Sequence, residues 1–266
     1  MLADFNILPE EYQNIKPYPY YYQDNILDPK FALELQKEIL EIPKDAFDTY
    51  DNPFETKLTF RDKNNFPELS ERLFKYLESD YYINKVSKLC GYKLIKDPNR
   101  NFTQIHTYEN NGKLDIHLDA EVHPITKDYK MITLGIYLSY DWKDTYGCDL
   151  EIWNGDSWKE SNHKIYDCVT KVAPIFNRLI IFTNTNNSWH GNPNIMDGNN
   201  DSKRIFVTIS YLSPNENKDN NQIFREKALF IQRPIDVYDE GKEKLIKIRA
   251  DPVLYKTVYI YSKLHK

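Results

Sequence analysis

Cysteine is rare in this chain, and the three present, Cys90, Cys148 and Cys168, lie far apart. They form neither a paired framework nor the close spacing of a zinc site, so they read as small buried side chains. Long apolar runs are missing as well: nothing approaches the roughly 18 to 20 residues needed to span a bilayer. Met1 to Glu11 lacks the basic and apolar regions of a signal peptide, which points to a cytoplasmic protein. Nor is there a long block of one charge sign. The 35 basic and 40 acidic side chains are interspersed and sum to −5, so neither nucleic acid nor a membrane surface is expected as a partner. Glycine is scarce, at 8 residues against 21 tyrosines, a balance that bears on the kind of β protein the chain can form. No repeat or low-complexity tract is present. The nearest approach, Pro17-Tyr18-Pro19-Tyr20-Tyr21-Tyr22, reads as an extended aromatic arm packed against the body.

What is present divides at about Tyr92. Before it, Asp28-Pro29 has the form of an N-cap with proline at the first helical position, and Phe31, Leu35, Ile39 and Ile42 recur at helical spacing up to Pro43. Asp45 to Asp62 reads as a loop leading into a short strand at Leu58 and Phe60. Phe66 to Leu77 and Ile83 to Cys90 carry two further one-sided stripes, the second closed by Gly91. After Tyr92 the pattern changes to short β runs: Lys93 to Ile95, Phe102 to Tyr108, Leu114 to Asp119, Met131 to Tyr140, Asp149 to Trp153, Asp167 to Val172, Arg178 to Thr183 and Arg204 to Leu212. With no crossover helices between them, they favour a closed antiparallel jelly roll. The expectation is a mainly β protein with α, in which an N-terminal helical region (1–92) supports a β core (93–214) followed by an extension (215–266), all within one structural domain. In the extension, Glu240 to Ile248 has helical character and Val258-Tyr259-Ile260-Tyr261 has β character.

Three segments carry groups suited to chemistry. On a strand, His117 and Asp119 project to one face while Ile116 and Leu118 pack on the other. Two imidazoles and one carboxylate on one side of a metal form the facial triad that holds Fe(II) and leaves positions open, and His190, after the run Arg178 to Thr183, is the candidate third ligand. His123 shares the parity of His117 and Asp119 and competes for that role, although Pro124 suggests that the strand is already ending, which favours a pocket-lining or substrate-orienting residue. His106, His163 and His265 read as surface or loop histidines, Arg178 as a structural partner, and Trp153 and Trp189 as packing residues near enough in sequence to form pocket walls. Arg204 opens a strand with Phe206, Thr208 and Ser210 on its own face, where its planar fork of donors suits a carboxylate and Ser210 is placed as a second donor to it.

From Phe102 to Pro214 these pieces resemble the iron and 2-oxoglutarate dependent oxygenases, in the branch grouped with prolyl 4-hydroxylase domains. The likeness rests on Tyr108, Gly112, His117-x-Asp119, His123-Pro124, Leu134 to Ser139, Tyr146 to Trp153, Pro174 to Phe182, Trp189-His190-Gly191-Asn192-Pro193 and Arg204, in that order. It implies a double-stranded β-helix in which His117, Asp119 and His190 hold Fe(II). Arg204 would pair with the distal carboxylate of 2-oxoglutarate, with Tyr108 close to it and Thr208 and Ser210 as auxiliary contacts. It further implies dioxygen as co-substrate, ascorbate as an optional accessory, and hydroxylation of an unactivated C–H bond with release of succinate and CO2. Two positions depart from the pattern. Gly147-Cys148 stands where relatives often show Gly-Gly, and Arg204 stands where prolyl hydroxylases commonly use lysine, which weakens peptidyl proline as the substrate and leaves 2-oxoglutarate in place. A peptide or a small molecule fits the same core, with specificity expected in loops 141–146, 154–162 and 192–201. The competing readings are a cupin-like metal-binding isomerase or sugar-binding module, which needs no Arg204, and a silent interaction domain.

Overall fold

The computed structural model describes residues 2–198, 202–216, 224–251, 253 and 254. Its helices are α1 (Pro9–Asn14), α2 (Pro29–Leu40), α3 (Glu68–Leu77), α4 (Asp80–Cys90) and α5 (Glu240–Ala250). Its strands are β1 (Tyr20–Asp24), β2 (Phe47–Asn52), β3 (Glu55–Phe60), β4 (Gln104–Tyr108), β5 (Lys113–Leu118), β6 (Tyr129–Tyr137), β7 (Leu150–Gly155), β8 (Ile165–Val172), β9 (Arg178–Thr183), β10 (His190–Asn192), β11 (Arg204–Ser213) and β12 (Leu229–Phe230).

The helices begin and end for local reasons. The Asp28 carboxylate accepts from the Phe31 amide at 3.0 Å, which caps α2. Ala32, Leu35 and Ile39 form its buried stripe, and Gln36 on the same face donates to the Leu138 carbonyl at 2.8 Å. Pro67 offers α3 no side-chain cap. Glu38 of α2 supplies one from outside, accepting from the Leu69 and Ser70 amides at 2.6 and 2.8 Å, so the two helices are joined at a helix N-terminus that favours negative charge. Gly91 ends α4 in the left-handed region, at φ 77°.

The strands form one sheet in the order β1-β9-β6-β11-β4-β3-β5-β10-β7-β8, with β2 on β3 and β12 on β5. All pairs of named strands are antiparallel. β3 is where the sheet folds over: its Leu58 and Thr59 pair with β4, while Glu55 and Thr56 pair with β5. The halves on either side of β3 enclose an interior, giving a near-closed, double-stranded β-helix of jelly-roll type. On the outer face, Leu134, Ile136, Leu179, Ile181, Ile205, Val207 and Ile209 share one core with Leu35, Leu73, Phe74 and Val86 of the helices. Burying each such side chain contributes roughly 1.5–3 kcal/mol before chain entropy is counted, so the helices buttress the sheet as their one-sided stripes imply.

The structure also adds to the sequence reading. The segment read as a loop and short strand is a full hairpin, β2–β3; β2 is a polar strand exposed beyond Phe47, with no alternation to mark it. Lys93 to Ile95 makes only a single bridge, Ile95 to Leu212, and the long strand from residue 129 stops at Tyr137. The aromatic arm does pack as expected, as β1 along β9, and Tyr18 just before it donates to the Trp189 carbonyl at 3.0 Å. Of the extension, β12 and α5 are in place; Val258 to Tyr261 lies outside the described residues. No described helix is long and apolar enough to cross a membrane.

Outside the sheet, Arg100 ties α3 to the following turn, with Glu71 at 2.7 Å and Glu78 at 2.7 Å. The hydrogen bond from Arg100 holds the Glu71 carboxyl below its ordinary value of 4.5. A carboxyl lowered on folding stabilises the protein above its unfolded value, and the contribution is lost as pH falls through the folded one. Stability is therefore expected to decline below about pH 4.5, and urea midpoints measured from about pH 5 to pH 3 should show a shallower decline in Arg100→Met.

Candidate active site

β5 ends in His117 and Leu118, and Asp119 follows directly. The sheet then inserts β10 between β5 and β7, with His190 opposite His117 on one side and Ile152 on the other. This register needs a close backbone approach immediately after His190. A Cβ on Gly191 would lie 2.6 Å from the Asp115 carbonyl oxygen and 2.8 Å from that of Leu114, both backbone atoms, so only glycine fits. The two imidazole centroids come within 4.5 Å. His117 Nε2 is 3.5 Å from Asp119 Oδ1, and His190 Nε2 is 4.0 Å from Asp119 Oδ2. The three side chains each offer one ligand atom within 4.8 Å of the others, the spacing of a 2-His-1-carboxylate metal site.

Backbone carbonyls set the tautomer of both rings. His117 Nδ1 donates to the Asp115 carbonyl at 2.9 Å, and His190 Nδ1 to that of Ser188 at 2.8 Å. A carbonyl only accepts, so the proton sits on Nδ1 and the Nε2 lone pair faces the shared centre. Burial, then the neighbouring His117, pushes His190 down to about 3, so the ring stays neutral and able to bind a metal. Burial alone would raise the Asp119 carboxyl, but the Lys130 ammonium at 2.5 Å outweighs it and holds the group well below the usual carboxylate range. A neutral, lone-pair-bearing nitrogen pair beside a permanently ionised carboxylate fits a divalent cation such as Fe(II).

The triad lies in a cavity of about 260 Å³. Arg204, which opens β11, is 2 % exposed and also lines it. Its Nε donates to the Cys148 carbonyl at 3.1 Å and Nη2 to the Tyr137 hydroxyl at 3.4 Å, while Nη1 is buried with no hydrogen-bond partner among the described residues. The guanidinium carbon lies 4.7 Å from the Tyr108 ring centroid and 5.0 Å from that of Tyr137. Burial raises both phenols, Tyr137 to about 12, so each keeps a proton to donate. A buried cation with an unused donor and two protonated phenols nearby is suited to a carboxylate. Cys148 adopts a positive φ of 56°, so the Gly147-Cys148 turn keeps the backbone conformation that glycine would favour and points its carbonyl at Arg204.

The other residues singled out in the sequence divide. Thr208 lines the cavity and gives its hydroxyl to the Leu134 carbonyl at 3.0 Å. Ser210 lies six residues along β11 from Arg204, roughly 20 Å of strand, and its hydroxyl meets Thr133 at 3.4 Å near Asp119. Ser210 therefore meets the cavity near Asp119, through Thr133, and not beside the Arg204 backbone. His123 is outside the triad: its Nδ1 accepts from the Ile125 and Thr126 amides, and its Nε2 lies 3.1 Å from Asp97, an arrangement that secures a turn. Arg178 pairs with Asp24 at 2.5 Å, and Lys203 with Glu109 at 3.4 Å, away from the cavity. Trp153 and Trp189 pack with Ile116 and Leu118 and form no cavity wall. His163 stacks on Trp189, and His265 lies outside the described residues.

His106 corrects the sequence reading. It is buried, lines the cavity, and shares a 2.9 Å hydrogen bond between Nδ1 and Thr59 Oγ1. Its strand alternation with Tyr108 could have revealed this. Tyr137, Lys130 and Lys57 were also missed. Tyr137 shares a strand face with Thr133, and a lysine leading into the apolar run of β6 was a visible signal, but Lys57 had none.

A family model described as the 2OG-Fe(II) oxygenase superfamily matches residues 103–211. No curated protein sequence matches the chain. Among solved structures, a prolyl-4-hydroxylase from Pseudomonas putida superposes with a TM-score of 0.55 at 13% identity, over 79% of this chain and 100% of that one. A Trichoplax adhaerens prolyl hydroxylase in complex with a hypoxia inducible factor peptide fragment gives 0.57 at 15%, over 78% and 88%. Prolyl 4-hydroxylase from Phytophthora capsici gives 0.51 at 15%, over 92% and 73%. At such identities the likeness is one of fold. Residues 103–211 thus match the 2OG-Fe(II) oxygenase model and carry a 2-His-1-carboxylate triad consistent with a non-haem iron dioxygenase.

Proposed function

We propose that the protein uses Fe(II), 2-oxoglutarate and dioxygen to hydroxylate an unactivated C–H bond, releasing succinate and CO2. The observation that carries this reading is the buried Arg204 guanidinium, with a donor left over, in the same cavity as the triad. A cupin-like isomerase would need the triad but gives no reason to bury that cation. His117, Asp119 and His190 would hold the metal, which when bound supplies dioxygen-activating redox chemistry coupled to oxidative decarboxylation of the 2-oxo acid. Arg204 binds and orients the distal carboxylate, Tyr137 and Tyr108 add hydroxyl donors, and the apolar walls, Phe182 and Phe230 among them, keep water from the reacting centre.

Peptidyl proline is the substrate class that the structural relatives' names suggest. A small molecule is the second reading, favoured by the cavity: about 260 Å³ is below the roughly 300–1,000 Å³ of many ligand sites, and Phe230 and Arg249 of the extension help to line it. Protein loaded with Fe(II) and 2-oxoglutarate without oxygen should develop the weak visible charge-transfer band of that chelate. Admitting air, with ascorbate present, should release succinate and add one oxygen atom to the substrate. A metal-loaded protein that shows no band and forms no succinate returns the assignment to a non-oxidative metal protein.

A further inference from the structure

The triad and Arg204 leave several buried polar groups of the cavity unused. Lys57 of β3 lines it with a side chain only 13% exposed, and among the described residues one carboxylate oxygen, on Glu55 at 2.9 Å, is its ion-pair partner. Lys130 of β6, 9% exposed, likewise has one, on Asp119. Each ammonium carries three N–H donors. With His106 Nδ1 accepting from the Thr59 hydroxyl, the ring proton sits on Nε2, a donor that faces the same space. Lys57 shares a face of β3 with Thr59, which pairs with His106, so Lys57 and His106 are neighbours on the cavity wall. The cavity therefore offers more donors than acceptors. Its formal charge agrees, since the walls from β3, β6 and β11 bring three cations, Lys57, Lys130 and Arg204, against the two lining carboxylates, Glu55 and Asp119. A divalent metal and a 2-oxoglutarate dianion cancel one another, so filling the site as proposed above leaves the positive excess in place. In a low-dielectric cavity such an excess attracts an anion strongly.

We propose, building on the oxygenase reading, that the molecule oxidised is a small organic anion whose carboxylate or phosphate group is held by Lys57 and His106. The neutral backbone of a peptidyl proline offers these donors no charged acceptor. The size of the cavity, already shared with a five-carbon diacid, keeps the remainder of the molecule small.

The test compares matched pairs that differ in charge, glycerol 3-phosphate with glycerol and N-acetylaspartate with N-acetylasparagine. Binding is measured by calorimetry on full-length protein loaded with Mn(II) and 2-oxoglutarate under anaerobic conditions, so no turnover is required. At least one anionic member is expected to bind about tenfold or more tightly than its neutral mate. Lys57→Met should remove that preference and Lys57→Arg should retain it, with thermal midpoints reporting folding. Equal binding within both pairs overturns the proposal. So does a preference that survives in folded Lys57→Met, or a Lys57→Met variant whose loss falls on 2-oxoglutarate instead, since the cations then serve the co-substrate. If the protein takes up neither Mn(II) nor 2-oxoglutarate, the oxygenase reading itself has failed; the pairs are then compared on metal-free protein, where the same cations face the cavity and the same outcomes decide.

Discussion

His190→Ala is expected to lose metal binding and turnover together while the protein remains folded. Removing a partner that only supports a metal ligand typically costs about 10–100-fold in affinity; removing one of three ligands should exceed that. His190 is also the cleanest member of the triad to remove. Asp119 holds Lys130, so deleting it strands a buried ammonium, whereas His190 gives up only a bond to the Ser188 carbonyl and contacts such as the Phe182 ring, whose centroid is 4.5 Å away. Thermal unfolding with and without metal makes the comparison. A ligand present at about 100 times its Kd stabilises the folded state by about 2.7 kcal/mol, a rise that should be present in the native protein and absent in His190→Ala. His123→Ala supplies the contrast. It should lower the midpoint, because Ile125 and Thr126 lose their acceptor, and still respond to metal. A full metal response in His190→Ala would remove that residue from the site.

Arg204→Leu is expected to raise the 2-oxoglutarate requirement sharply without touching the metal. Losing one side of a buried, hydrogen-bonded charge pair costs about 2–4 kcal/mol, or roughly 30- to 1,000-fold in affinity. The effect on stability should be small or favourable, since the guanidinium is buried with Nη1 unpartnered among the described residues, and replacing such a group by an apolar one is often neutral or stabilising. Arg204→Lys should recover part of the loss: the charge returns, but the ammonium lacks the planar fork that reaches the Cys148 carbonyl, Tyr137 and a ligand together. Titration of 2-oxoglutarate at fixed metal, beside metal affinity measured alone, separates the two effects. An equal fall in both would show that Arg204 supports the fold of the site more than it binds the co-substrate.

How much of this was legible varied with the range of the interaction. Asp28, Pro29 and the stripe after them mark α2 because capping and amphipathicity are local, and the β runs from Gln104 to Ser213 announce themselves by alternation. β2 does not, because an exposed polar edge strand carries no burial pattern. Lys57 resembled any surface lysine until β3 turned it inward beside Glu55. His106 and His123 exchanged roles for a similar reason. Each is one polar residue near a strand, and only the partners brought from elsewhere, Thr59 for one and Asp97 for the other, show which faces the cavity and which secures a turn.

The sequence by itself determined what depends on neighbours along the chain: the helical stripes of α2 to α5, the alternation of the buried strands, and the shared parity that puts His117 and Asp119 on one side. Tertiary structure alone decided what depends on chain crossing chain: the register that sets His190 against His117, the burial of Arg204 beside Tyr108 and Tyr137, and the cover that β12 and α5 add to the cavity. The physical reason is that side-chain direction repeats with a fixed local period, whereas the partner met across a sheet is selected by the burial and hydrogen bonding of the whole fold, which no short stretch of sequence encodes.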